Sequence, residues 1–126
     1  MPLSPMPAPS DQWEGRGGIT IAGDALGPPD GPVALFLHGV GQTRHAWKGA
    51  GERVGAAGYH AVAFDARGHG DSAWADDGDY SPDAMVADLV AIVGALGRPK
   101  PILVGASMGG GVCLIAIGEG HVDAAA

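Results

Sequence analysis

The chain has 126 residues, enough for one small domain, and 46% of them are hydrophobic, enough for a core. Its formal net charge of -7 sets 14 acidic against 7 scattered basic residues, so no cationic cluster exists to neutralise nucleic-acid phosphates or an anionic membrane. The single cysteine, Cys113, excludes an intrachain disulfide and a cysteine metal site, and on an apolar helix it reads as a buried packing residue.

The chain opens on Met1-Pro2-Leu3-Ser4-Pro5-Met6-Pro7-Ala8-Pro9, which has neither the cationic nor the apolar region of a signal peptide. Residues 1–16 are expected to form a disordered or extended lead-in, and residues 17–126 the domain. No apolar run is long enough to span a bilayer, so the cytoplasm is the expected compartment. Residues 19–22 predict a short strand of an antiparallel pair, followed by the turn Gly27-Pro28-Pro29-Asp30-Gly31-Pro32. The apolar run Val33-Ala34-Leu35-Phe36-Leu37 predicts a strand that empties into the glycine-rich loop His38-Gly39-Val40-Gly41-Gln42. Residues 43–57 predict a helix with Thr43 as N-cap and Gly58 as its stop.

A further strand, 59–64, ends in a second polar loop, Asp65-Ala66-Arg67-Gly68-His69-Gly70-Asp71-Ser72. Ser81-Pro82-Asp83 supplies a cap, a first-turn proline and an acid at the positive end of the next helix. Its apolar stripe is Met85, Val86, Leu89, Val90, Val93 and Leu96, ending at Gly97. The run Ile102-Leu103-Val104 predicts a strand, Gly105-Ala106-Ser107-Met108-Gly109 a sharp turn, and 112–117 a helix. A serine at such a turn takes a strained backbone that lifts its hydroxyl clear of the sheet, while small residues on either side let strand and helix pass. The 23 glycines fall mostly at these turns and helix ends, which excludes disorder over 17–120. Alternating strands and helices predict an α/β fold with a mainly parallel sheet and flanking helices. Its three glycine-rich loops gather on one edge, where open α/β sheets place their sites.

The loops His38-Gly39-x-Gly41, Asp65-x-Arg67-Gly68-x-Gly70-x-Ser72 and Gly105-x-Ser107-x-Gly109 together resemble the N-terminal half of an α/β-hydrolase, in that family's order. The resemblance extends from about Gly17 to residue 126. It implies a truncated α/β-hydrolase fold without the later strands and lid. It implies Ser107 as nucleophile, and an oxyanion hole made by the backbone N–H groups of Val40 and Met108. Gly39, Gly41, Gly105 and Gly109 shape the loop and elbow. Serine at 107 favours ester-like or acyl substrates over the epoxide hydrolase and haloalkane dehalogenase branches, whose nucleophile is a carboxylate. No cofactor and no metal are expected.

The other polar residues carry plainer readings. His38 and His69 are expected to organise their loops, Asp65 and Arg67 to pair with each other, and His45 and His60 to pack or lie at the surface. Asp76-Asp77-Gly78-Asp79 lacks the spacing of a calcium loop and reads as a solvated turn. Trp47 and Trp74 read as scaffold packing. The resemblance places the catalytic acid and histidine after the nucleophile, yet His121 and Asp123 lie just past the elbow helix, about 15 Å or more from Ser107. They are not expected to serve. The reading is a serine hydrolase seen through its N-terminal part and inert alone. Half of a split enzyme, or a catalytically dead interaction module, is the alternative. Either would use pairing at the exposed edge of strand 102–104.

Overall fold

Strand β3 (Val33–Leu37) is apolar at every position and buried on both faces, as befits the middle of a sheet covered on two sides. The computed structural model describes residues 8–126. Around β3 lie β1 (Asp11–Glu14), β2 (Thr20–Leu26), β4 (His60–Phe64) and β5 (Ile102–Gly105), in the order β1-β2-β4-β3-β5. β3 pairs in parallel with β4 and β5, whereas β1–β2 and β2–β4 are antiparallel, so the sheet is mixed and its parallel part has three strands. One of the two antiparallel partners of β2 is β1, which starts ahead of the expected domain boundary at residue 17. Residues 1–7 of the expected lead-in lie outside the described residues.

Period-two alternation sorts the core into two layers. Val33, Leu35 and Leu37 of β3 join Val62 and Phe64 of β4 on one face, against Leu89 and Ile92 of α2 (Pro82–Leu96) and Val112, Cys113 and Ala116 of α3 (Met108–Gly118). Ala34, Phe36 and Ala61 form the thinner opposite layer with Trp47 and Val54, the latter on α1 (Lys48–Ala56). Leu89 and Ile92 are fully buried, each worth roughly 1.5–3 kcal/mol of transfer free energy.

The helix expected over 43–57 divides into a 3-10 turn, Arg44–Trp47, and then α1. Thr43 is extended and its hydroxyl makes no cap. The amide and guanidinium of Arg44 are both drawn to Asp65, which tightens the first turn. In α2 the capping holds: the Ser81 hydroxyl accepts from the Ala84 amide at 3.2 Å, and Gly97 closes the helix at φ 65°. Its buried face is Ala84, Val86, Asp88, Leu89 and Ile92, while Val90 from the expected stripe is exposed.

Candidate active site

At the C-terminal end of β5 the chain reverses into α3 through Ser107, which is exposed and held at φ 54° and ψ -114°. A non-glycine residue in that region stores roughly 1–3 kcal/mol of strain, and its neighbours over-determine it. A Cβ on Gly105 would stand 2.6 Å from the backbone of Gly109, and one on Gly109 would run into the carbonyl of Leu37. The Ala106 amide donates to that same carbonyl at 3.1 Å, tying the elbow to the end of β3.

The loop leaving β3 is pressed against the elbow: a Cβ on Gly39 would lie 3.4 Å from Ser107 Cβ. The loop is braced from within. Gln42 Oε1 accepts the Gly39 amide at 3.1 Å, and the Gly39 carbonyl accepts the Gln42 amide at 3.1 Å. Gly41 has φ 74°, a backbone that favours glycine. The amides of Val40 and Met108 have no acceptor among the described residues. Met108 opens α3, whose first-turn N–H groups and dipole favour negative charge.

Two histidines stitch this loop to the 65–72 loop. His38 is buried; its Nδ1 donates to the Gly39 carbonyl at 2.7 Å and its Nε2 accepts the Ala66 amide at 3.0 Å. His69 Nδ1 donates to the Arg67 carbonyl at 3.0 Å, and its Nε2 accepts the Gly41 amide at 3.1 Å. Both ring nitrogens of each are therefore engaged. Burial lowers the pKa of His38, and the nearby His69 works the same way, against the Gly39 hydrogen bond and the charge of Asp65.

The ion pairs differ from the expected Asp65–Arg67 partnership. Asp65, with no exposed surface, pairs with buried Arg44, whose Nη1 donates to Asp65 Oδ2 at 2.6 Å and to Asp71 Oδ2 at 2.7 Å while Nε donates to Asp24 Oδ2 at 2.7 Å. Burial opposes the charge of Arg44, but its hydrogen bonds to Asp71, Asp24 and Asp65 raise its pKa overall. Arg67 turns the other way and forks onto Asp88 of α2 at 2.7 and 2.8 Å. The Asp88 hydrogen bonds raise its pKa against burial. A charged residue between Val86 and Leu89 on a buried helix face was the available signal for Asp88. Gln42 had none beyond its place in the loop.

The remaining polar candidates lie apart. His121 is exposed past the C-terminus of α3, 3.5 Å from Glu119, and Asp123 is exposed beyond it. Asp77 Oδ1 accepts the Asp79 amide and Asp79 Oδ1 the Ser81 amide, the hydrogen bonding of a surface turn. Trp47 packs on Phe36 at 5.3 Å, whereas Trp74 is 75% exposed and packs no core. Burial pushes the Cys113 thiol up to about 11, so it stays protonated at neutral pH.

Comparisons with known proteins bear on the fold that carries this site. The sequence profile of the alpha/beta hydrolase fold matches residues 32–124. The chain is 39% identical over 79 residues to the esterase Rv0045c of Mycobacterium tuberculosis, covering 63% of this chain and 26% of that protein. It is 39% identical over 80 residues to an epoxide hydrolase of Caballeronia sordidicola, covering 63% of this chain and 24% of that one. Among solved structures, the epoxide hydrolase VrEH1 from Vigna radiata superposes with a TM-score of 0.84 at 31% identity, over 92% of this chain and 37% of that chain. The chain thus spans about a quarter of the length of these curated relatives.

Proposed function

Because the chain belongs to the alpha/beta hydrolase fold family, we propose that it carries the nucleophile and oxyanion half of a serine hydrolase acting on an ester-like or acyl substrate. The observation that carries this reading is Ser107 itself: an exposed residue on a strained strand-to-helix turn, with Gly39 packed against its Cβ, while the amides of Met108 and Val40, the next residues in the chain after Ser107 and Gly39, have no acceptor among the described residues. In the reaction, Ser107 Oγ attacks the acyl carbonyl and gives up its proton to a base. The tetrahedral oxyanion accepts hydrogen bonds from the Met108 and Val40 amides. Collapse expels the leaving group, which takes the proton, and water then releases the acyl group from Ser107. Each oxyanion donor in such a site is worth roughly 3–4 kcal/mol of barrier. Serine at 107, with no carboxylate, supports acyl chemistry over epoxide opening.

The base is assigned to sequence outside this chain. His38 and His69 have both nitrogens engaged, and His121 stands at the far end of α3. On this reading the chain alone is inert, and its activity belongs to a longer protein. The test is a chimera in which this chain replaces the matching segment of the Mycobacterium tuberculosis esterase. The chimera is expected to hydrolyse a p-nitrophenyl ester and to lose that activity by about a thousandfold or more in Ser107→Ala. A folded chimera without activity, or activity untouched by the substitution, overturns the reading.

A second reading, in which a partner chain completes the fold across β5, draws on one observation. The Leu103 amide donates to the Ala126 carbonyl at 2.8 Å and the Ala125 amide to the Pro101 carbonyl at 3.0 Å, so the outer edge of β5 takes backbone pairing from the chain's own residues 125–126, which a partner strand would have to displace or extend. Co-expression with the remainder of the esterase as a separate chain would restore hydrolysis on this reading and leave it absent otherwise.

A further inference from the structure

We propose that His69 and His38 form a reciprocal latch that positions the 38–42 loop beside Ser107 only while both imidazoles are neutral, making His69 a positioning residue for the Val40 amide. The inference rests on the oxyanion role given above to Val40, but the latch itself is a property of the two loops. Each histidine belongs to one loop and accepts an amide of the other: His38 Nε2 takes Ala66 N–H at 3.0 Å, and His69 Nε2 takes Gly41 N–H at 3.1 Å. An amide can only donate, so both Nε2 atoms must present a lone pair. A carbonyl can only accept, so both Nδ1 atoms must carry the proton, toward Gly39 and Arg67 respectively. Four hydrogen bonds thereby fix one tautomer at each ring.

An imidazolium carries a proton on both nitrogens. Protonating either ring turns its acceptor into a donor aimed at an N–H, which removes one cross-loop bond and sets two positive dipoles face to face. The rings stand 5.0 Å apart at 52°, so two charges there would also repel. The charged groups around the pair are themselves committed. Asp65, which favours charge on His38, is held by Arg44 together with Asp24 and Asp71; Arg67 and Asp88, which share a cavity of about 20 Å³ with His38 on the α2 side, bind each other. Each of these carboxylates is already hydrogen-bonded to an arginine. The peptide joining Val40 to Gly41 carries the amide that His69 holds, so releasing it frees the residue assigned above to the oxyanion hole.

Nuclear magnetic resonance on the intact chain tests this without requiring catalysis. At neutral pH both rings are expected in the Nδ1–H tautomer by their nitrogen shifts, with the Gly41 and Ala66 amides protected from exchange. On acidification those two amides are expected to shift and lose protection together with the ring signals. His69→Ala should speed Gly41 exchange at least tenfold at neutral pH. His69→Gln, which offers an oxygen where Nε2 stood, should restore protection and abolish the pH response of Gly41. An Nε2–H tautomer at His69, or a Gly41 amide indifferent to His69→Ala, overturns the latch. In the esterase chimera, His69→Ala should lower kcat about tenfold with KM little changed, and His69→Gln should recover it. Loss of ester hydrolysis in the unsubstituted chimera would count against the oxyanion reading alone, because the tautomers and exchange rates decide the latch separately.

Discussion

At Gly109 an added methyl group would strike the carbonyl of Leu37, a backbone atom in the interior strand β3, whereas at Gly111, two residues along α3, it would meet nothing within 4 Å. The two positions therefore separate packing from propensity. Gly111→Ala should gain about 0.5–1 kcal/mol, since alanine loses less backbone entropy in a helix. Gly109→Ala should cost about 2 kcal/mol or more, because β3 cannot yield and α3 must lift from the sheet. Urea unfolding of the two variants measures both; equal effects would mean that α3 does not lie against Leu37. The requirement at Gly105 and Gly109 was legible in the sequence because it is local, a strand and a helix crossing within five residues. The need at Gly70 was not. A Cβ there would collide with the Asp65 carboxylate, and only the fold shows that this carboxylate turns back under its own loop.

Between elements, the ion pairs show where sequence reading stops. Asp65 and Arg67 are two residues apart in the loop that follows β4, yet their side chains take different partners, Asp65 toward Arg44 and Arg67 toward Asp88. Proximity along the chain carried no information about which helix each would meet. Arg67 joins three elements at once: its guanidinium forks onto Asp88 and also donates to the carbonyls of Asp79 and Arg16, while Asp88 Oδ1 accepts the Arg16 amide at 2.8 Å. Both partners are about 98% buried, so removing one leaves the other as an uncompensated charge. Arg67→Met is expected to destabilise the fold by about 3–5 kcal/mol, and the double variant Arg67→Met, Asp88→Leu to recover at least about half of that. Denaturant midpoints for the two single variants and the double decide it. A double variant as unstable as the sum of the singles would mean that the pair's value lies in its backbone hydrogen bonds and not in its charges.

For the molecule as a whole, the alternation of strands and helices and the gathering of three loops on one edge were legible from periodicity and punctuation, but the strand order and the joining of those loops were not. Nothing in the spacing of His38 and His69 says that each serves the other's loop; that emerges only when β3 and β4 lie side by side in parallel register. The consequence is a stability that depends on pH. Burial lowers the folded-state pKa of His38 below its ordinary value of about 6.5, so in acid the unfolded chain binds a proton that the fold resists. The slope of unfolding free energy with pH is proportional to protons bound unfolded minus protons bound folded, and here that difference is positive. The contribution of His38 is therefore complete above about pH 6.5 and shrinks as pH falls below it, until the folded-state value is reached. Thermal midpoints should decline across that window in the unaltered chain. His38→Gln keeps an acceptor for the Ala66 amide but cannot titrate, so its midpoint should decline less over the same range, even if its stability at neutral pH is lower. Parallel declines in the two proteins would remove His38 as a source of the acid sensitivity.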